Sequence, residues 1–167
     1  MNIPVVAIVG FSDSGKTTAA MALVRILSQR GYHIAVIKHA HEGHDVGPAL
    51  KDSDKLFAAG AAVVIASSPG QITATERVEG DTPLEAIVVS LHSEYDLAIA
   101  EGFKSSSVPK VLVTRQGVPT PTVDGVIACV ADGPVQGLPV FTPLQMEALA
   151  DFLLERLIKA AGVVPSY

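Results

Sequence analysis

The feature that most limits what this chain can fold into is the run Gly10-Phe11-Ser12-Asp13-Ser14-Gly15-Lys16-Thr17, set between apolar segments of different period. Before it, Ile3 to Val9 is apolar and rich in β-branched residues, as in a strand covered on both faces. After it, Ala20, Leu23, Val24 and Leu27 recur at helical spacing from Thr17 onward, and Gly31 supplies a C-terminal stop. The run fits G-x-x-x-x-G-K-[ST], whose backbone N–H groups curl round a β-phosphate at a helix N-terminus. In that pattern Lys16 neutralises the β- and γ-phosphates and Thr17 places its hydroxyl on Mg²⁺. A plain strand-to-helix turn needs neither side chain. The phosphate cradle is therefore expected from Gly10, Ser12, Asp13, Ser14, Gly15, Lys16, Thr17 and Thr18.

The rest of the chain repeats the alternation. Tyr32 to Ile37 reads as a second buried strand, Lys38 to Leu50 as a loop, and Asp52 as the N-cap of a short helix ending near Gly60. Ala61 to Ala66 reads as a third strand, Ser68-Pro69-Gly70-Gln71 as a type II turn, and Ile72 to Val78 as a strand exposed on one face. Thr82-Pro83 opens a helix, with Thr82 as cap, Pro83 at the first helical position and Glu85 reaching back. Tyr95 to Ala100, Lys110 to Thr114 and Val126 to Val130 are further apolar strands, and Pro143 to Ala160 closes the chain as an amphipathic helix. Strands alternating with helices imply an α/β fold with a mostly parallel sheet covered by helices.

The 167 residues fit a single domain, 1–167, at roughly 150 residues per domain. With 49% hydrophobic and 17% charged residues, disorder is excluded as the main state. A net charge of −5 and the absence of Trp argue against nucleic acid as a partner, while leaving room for a local phosphate site. No apolar stretch approaches the ~18 residues of a membrane span, and no basic leader opens the chain. The single cysteine, Cys129, reads as a small buried hydrophobe, so a cytoplasmic location without membrane association is expected.

A carboxylate for the metal side is sought at a neighbouring strand end. Tyr95 to Gly102 offers Asp96 and Glu101, about 16 Å apart along a strand. Ligands collect at the carboxyl ends of parallel strands, which selects Glu101 as catalytic and metal-side residue and leaves Asp96 to the strand start. Glu101 either binds Mg²⁺ through water or positions an attacking water, and Gly102 behind it leaves room for a ligand. The following candidates lie in the loop after the second strand: Lys38, His39, His41, His44 and Asp45. Their spacing favours a substrate- or phosphate-facing loop over a dedicated metal site, with Asp45 and Asp52 as outer Mg²⁺ acids or plain solvated residues.

Lys16-Thr17-Thr18, Lys38-His39-Ala40-His41, Lys51-Asp52-Ser53 before Ala59-Gly60-Ala61, and Glu101-Gly102-Phe103-Lys104 followed by Pro109-Lys110 together resemble the MobB family, molybdopterin-guanine dinucleotide biosynthesis protein B. The resemblance runs from Val5 to about Arg115, with departures at Glu42, Gly47 and Lys55. It implies a P-loop NTPase-type sheet with an antiparallel strand extension, in keeping with the turn at Pro69-Gly70. It also implies a homodimeric GTP-binding protein with weak GTPase activity and Mg²⁺, acting beside a MobA-like molybdenum cofactor guanylyltransferase on the molybdopterin cofactor. His39 and His41 would then face phosphates or pterin.

Guanine recognition has no N/T-K-x-D segment to rest on. Thr114-Arg115-Gln116-Gly117 stands at a strand end without the Asp, and Asp132 is the replacement candidate beside the reading of a plain turn acid before Gly133-Pro134. Two other classes stay in view. A small-molecule kinase would close an Arg-bearing lid, yet Arg25, Arg30, Arg77, Arg115 and Arg156 are scattered. A scaffold with a dead nucleotide site would not need Lys16 and Thr17.

Overall fold

The computed structural model describes residues 3–40, 51–92, 94–115 and 120–159. They fall into two compact units, one comprising Met1–His39 and Pro83–Tyr167 and the other Ala40–Thr82.

The first unit begins with β1 (Val5–Val9), α1 (Lys16–Gln29) and β2 (Ile34–Lys38); the second holds α2 (Lys51–Ala58), β3 (Val63–Ser68) and β4 (Gln71–Glu76). The first unit resumes with α3 (Leu84–Ser90), β5 (Leu97–Glu101), β6 (Lys110–Val113), β7 (Val126–Val130), β8 (Val140–Phe141) and α4 (Met146–Leu153), which continues in wider π-helical turns over Leu154–Lys159. Its six strands run parallel in the order β2-β5-β1-β6-β7-β8. The sheet reverses direction of growth at β1, and such a switch point opens a crevice at the carboxyl ends of the strands.

Why β1 reads as an unbroken apolar run is visible in its packing. Val6 and Ile8 enter one core with Leu23 and Leu27 of α1 and Leu149 and Leu153 of α4. Ala7 and Val9 enter the other, with Leu84, Ala98, Ala100 and Cys129. Each fully buried Leu contributes roughly 2 kcal/mol of transfer free energy, so the two α1 leucines anchor the helix that carries the phosphate loop. The stop at Gly31 is a paired cap: Gly31 N–H donates to Ser28 O and Tyr32 N–H to Leu27 O, with Gly31 at φ +87°.

Several expectations are corrected. β2 is an edge strand, so Val36 is exposed where a fully buried strand was expected. The expected antiparallel extension is present: β3 pairs antiparallel with β4 alone, as a two-stranded sheet. In that hairpin Gly70 takes φ +79°, as the type II turn requires, and the exposed face carries Val63, Ile65 and Ile72. α2 already includes Asp52 in its first turn, where it pairs with Lys55 at 2.9 Å rather than capping. Pro83, not Thr82, is the N-cap of α3, and no side chain caps it. The Glu85 carboxylate instead accepts from the Ser107 backbone N–H and hydroxyl, two donors from one residue. α4 starts at Met146 because Thr142 to Gln145 form a turn, in which Gln145 N–H donates to Thr142 O and Thr142 N–H to Gln145 Oε1. The two-residue strand β8 has no counterpart in the sequence reading, since two residues carry no periodicity.

Candidate functional site

The segment between β1 and α1 is a tight loop whose conformation its sequence dictates. Asp13 and Gly15 both take left-handed backbone, φ +61° and +96°, and Gly15 is the N-cap of α1. A Cβ on Gly10 would lie 2.4 Å from Val113 O and 2.5 Å from Ser14 Oγ, so only glycine fits there. No side chain caps α1 and no acidic residue occupies its first turn, leaving the orphan N–H groups and the positive end of the helix dipole for an anion. Ser14 is 2% exposed, and its hydroxyl has no hydrogen-bond partner among the described residues. A buried hydroxyl without a partner costs about 1–3 kcal/mol, which an acceptor oxygen placed in the loop would recover. Lys16 folds over the same loop, donating from Nζ to Phe11 O at 2.7 Å.

Glu101 and Thr17 meet although 84 residues separate them: the Thr17 hydroxyl donates to Glu101 Oε1 at 2.8 Å. The parallel register explains it, because β1 pairs Ile8 with Glu101 and so brings the end of β5 beside the loop that follows β1. Lys38, paired with Glu101 across β2 and β5, places Nζ 3.9 Å from Oε2. Glu101 is largely buried, at 13% side-chain exposure, between a hydroxyl and an ammonium. A cation held by the Thr17 hydroxyl and the Glu101 carboxylate would have oxygen donors suited to Mg²⁺. Asp96 stands at the other end of β5, buried, where its carboxylate accepts from His33 N–H at 2.7 Å.

The loop after β5 is braced from behind. Gly102 and Phe103 are both left-handed, at φ +97° and +52°. A Cβ on Gly102 would fall 2.9 Å from His39 Cβ, so the space expected for a ligand is taken by His39. His39 N–H donates to Glu101 O, and its ring packs on Phe103 with centroids 4.9 Å apart. Lys104 sets its ammonium 4.8 Å from the centre of the Phe11 ring, a cation–π contact back to the phosphate loop. Lys110, 2% exposed, donates from Nζ to the carbonyls of Ser106, Val108 and Asp124, while Ser106 in turn donates to Phe103 O. The sequence marked Lys110 as part of the Pro109-Lys110 segment of the family resemblance; its part as an organiser was not legible, because a buried lysine satisfied by carbonyls leaves no pattern.

Beside the loop, on the β6–β7 side, Gly15 and Thr18 share a pocket with Arg115 and Asp132. Arg115 was read as one of five scattered arginines; its position at the end of β6 was the signal available. Ser12 and Asp13 are exposed on the loop surface. His41, Glu42, His44, Asp45, Gly47, Gln116 and Gly117 lie outside the described residues. Among the described residues no group of three or more His, Cys, Asp or Glu side chains could hold a metal ion. Nor is any described helix long and apolar enough to cross a membrane.

Residues 5–132 match the family model of MobB, molybdopterin guanine dinucleotide synthesis protein B. The chain belongs to the MobB family. The matched stretch runs from β1 to Asp132 and so contains the phosphate loop, Glu101 and Arg115. The molybdopterin-guanine dinucleotide biosynthesis adapter protein of Escherichia coli is 34% identical over 169 positions, covering 96% of this chain and 97% of that one. The adapter protein of Haemophilus influenzae is 34% identical over 77% of this chain and 74% of its own. Among solved structures, a crystal structure of molybdopterin-guanine biosynthesis protein B (MobB) has a TM-score of 0.72 at 32% identity, covering 90% of this chain and 97% of that one. Bacillus subtilis MobB has a TM-score of 0.73 at 28% identity, covering 93% and 98%. These two MobB structures share this fold over nine-tenths or more of the chain.

Proposed function

We propose that this chain is a GTP-binding adapter with slow GTPase activity that assists attachment of GMP to molybdopterin in molybdopterin-guanine dinucleotide biosynthesis. The observation that carries the reading is the meeting of Thr17 and Glu101 beside an uncapped helix start with Lys16 on it, in a MobB-family chain. Relatives along most of the chain's length are named as adapter proteins of that biosynthesis.

In this reading the N–H groups of the loop and the Ser14 hydroxyl receive phosphate oxygens, and Lys16 exchanges the Phe11 carbonyl for them. Mg²⁺, when bound, supplies charge neutralisation at the phosphates. Thr17 and Glu101 are the residues that would hold it, Glu101 also orienting the attacking water, with Lys38 Nζ 3.9 Å from Glu101 Oε2 on its other side. Asp132 is the acceptor for guanine. His39 and His41 are the residues that the family resemblance assigns to phosphates or the molybdopterin cofactor. The partner is a MobA-like guanylyltransferase, the working form a homodimer and the location cytoplasmic.

The reading is tested by reconstitution with a purified molybdenum cofactor guanylyltransferase, molybdopterin, GTP and Mg²⁺. Added chain should raise the yield of guanine dinucleotide, and Lys16→Ala chain should not. Equal yields with wild-type and Lys16→Ala chain, or with no chain at all, contradict it.

A further inference from the structure

The pocket next to the phosphate loop is built differently from the loop itself. Its walls are small and apolar, Ala22 from α1, Val130 from β7 and Met146 from α4. Its polar groups are concentrated at the ends of β6 and β7, in Arg115 and Asp132. Arg115 lies along the loop: Nη2, Nε and Cζ would stand 3.4, 3.7 and 4.0 Å from a Cβ on Gly15. Nη2 and Nε stand nearer than the Cζ between them, so the planar group turns its Nε–Nη2 edge to Gly15, which leaves both of its faces uncovered by that residue. Neither Arg115 nor Asp132 makes a hydrogen bond or ion pair with any described residue, although both face one pocket. Ser14, with its unpartnered buried hydroxyl, lines the same pocket and makes it continuous with the phosphate cradle.

We propose that this pocket receives the purine ring of the nucleotide, with the Arg115 guanidinium stacked on the ring face and Asp132 accepting from the N1–H and 2-amino edge. The proposal rests on the phosphate-site reading above and adds the residue that grips the base. A planar, weakly hydrated guanidinium stacks on a heterocycle of any edge pattern, so Arg115 supplies affinity and little selectivity. A carboxylate facing the ring edge is satisfied by guanine, which offers two adjacent donors, and loses one of them with hypoxanthine. Adenine offers no donor at N1. The two residues thus divide the work: one holds the face, the other reads the edge.

Calorimetric titrations of the full chain with Mg²⁺ and GTP, ITP, ATP or inorganic tripolyphosphate separate these roles. Arg115→Ala should weaken GTP and ITP alike, by roughly tenfold, and leave tripolyphosphate unchanged. Asp132→Asn should erase the preference for GTP over ITP. Arg115 is exposed, so its truncation leaves the core intact. Equal loss of tripolyphosphate and GTP in Arg115→Ala would make Arg115 a phosphate residue and overturn the proposal, as would an unchanged GTP-to-ITP ratio in Asp132→Asn. Wild-type chain that binds neither GTP nor tripolyphosphate overturns the phosphate site itself, a separate failure.

Discussion

The Thr17 hydroxyl donates a 2.8 Å hydrogen bond to Glu101 Oε1, tying the first turn of α1 to the carboxyl end of β5. That contact sets a kinetic expectation. Glu101→Gln keeps the shape and an acceptor for Thr17 but removes the charge, so GTP hydrolysis should fall on the order of 100-fold while GTP affinity changes far less. Asp96→Asn, altered at the other end of the strand, should hydrolyse GTP at the wild-type rate; single-turnover assays on both variants check the contrast.

Gly102 and Gly31 share left-handed backbone, at φ +97° and +87°, but differ in surroundings. Gly31→Ala meets nothing within 4 Å and should cost only the dihedral penalty, about 1–2 kcal/mol. Gly102→Ala adds a contact of 2.9 Å with His39 Cβ and should cost clearly more. Urea unfolding of the two variants measures the difference, and equal losses would mean that His39 yields without resistance.

Lys110 is the third test. Its ammonium satisfies the carbonyls of Ser106, Val108 and Asp124 in a buried position. Lys110→Met keeps most of the stem and strips all three bonds, so unfolding free energy should fall by about 2–4 kcal/mol. A midpoint in urea within experimental scatter of wild type would show that the loop does not depend on this clamp.

The Glu85 carboxyl is held below its ordinary value by hydrogen bonds from its own backbone N–H and then from the Ser107 N–H and hydroxyl. A lowered folded pKa means that its contribution to stability is full above about pH 4.5 and is lost as pH falls through the lower folded value. Ser107→Ala removes one of these donors, so the Glu85 titration followed by NMR should move part-way back up. No movement would mean that the hydroxyl contact is absent in solution.

How much of this was legible in the sequence depends on whether a residue's role is local. The tight turn from Gly10 to Gly15, the buried strand before it and the Gly31 stop are each set by residues close in sequence, and each was readable. Glu101 was reachable because the carboxyl end of a parallel strand is a position that sequence order identifies. Arg115 was not, since its placement against Gly15 needs the β1–β6 pairing. The Thr82 cap was misread because the sequence shows Glu85 near Thr82 and hides Ser107, 22 residues away, which binds the carboxylate. The hairpin was legible from its turn at Pro69-Gly70, whereas a strand's apolar pattern does not reveal which partner it pairs with, so its standing as a sheet of its own was not.

The claim on which the account turns is that the loop from Gly10 to Thr17 holds nucleotide phosphates. Isothermal titration of Mg²⁺·GTP into wild-type chain and into Lys16→Ala chain tests it most directly, since Lys16 lies on the loop and contributes nothing to the two cores. The account predicts saturable binding to the wild type and loss of measurable binding in the variant, with the same unfolding midpoint for both. Equal GTP affinity in the two proteins would contradict it.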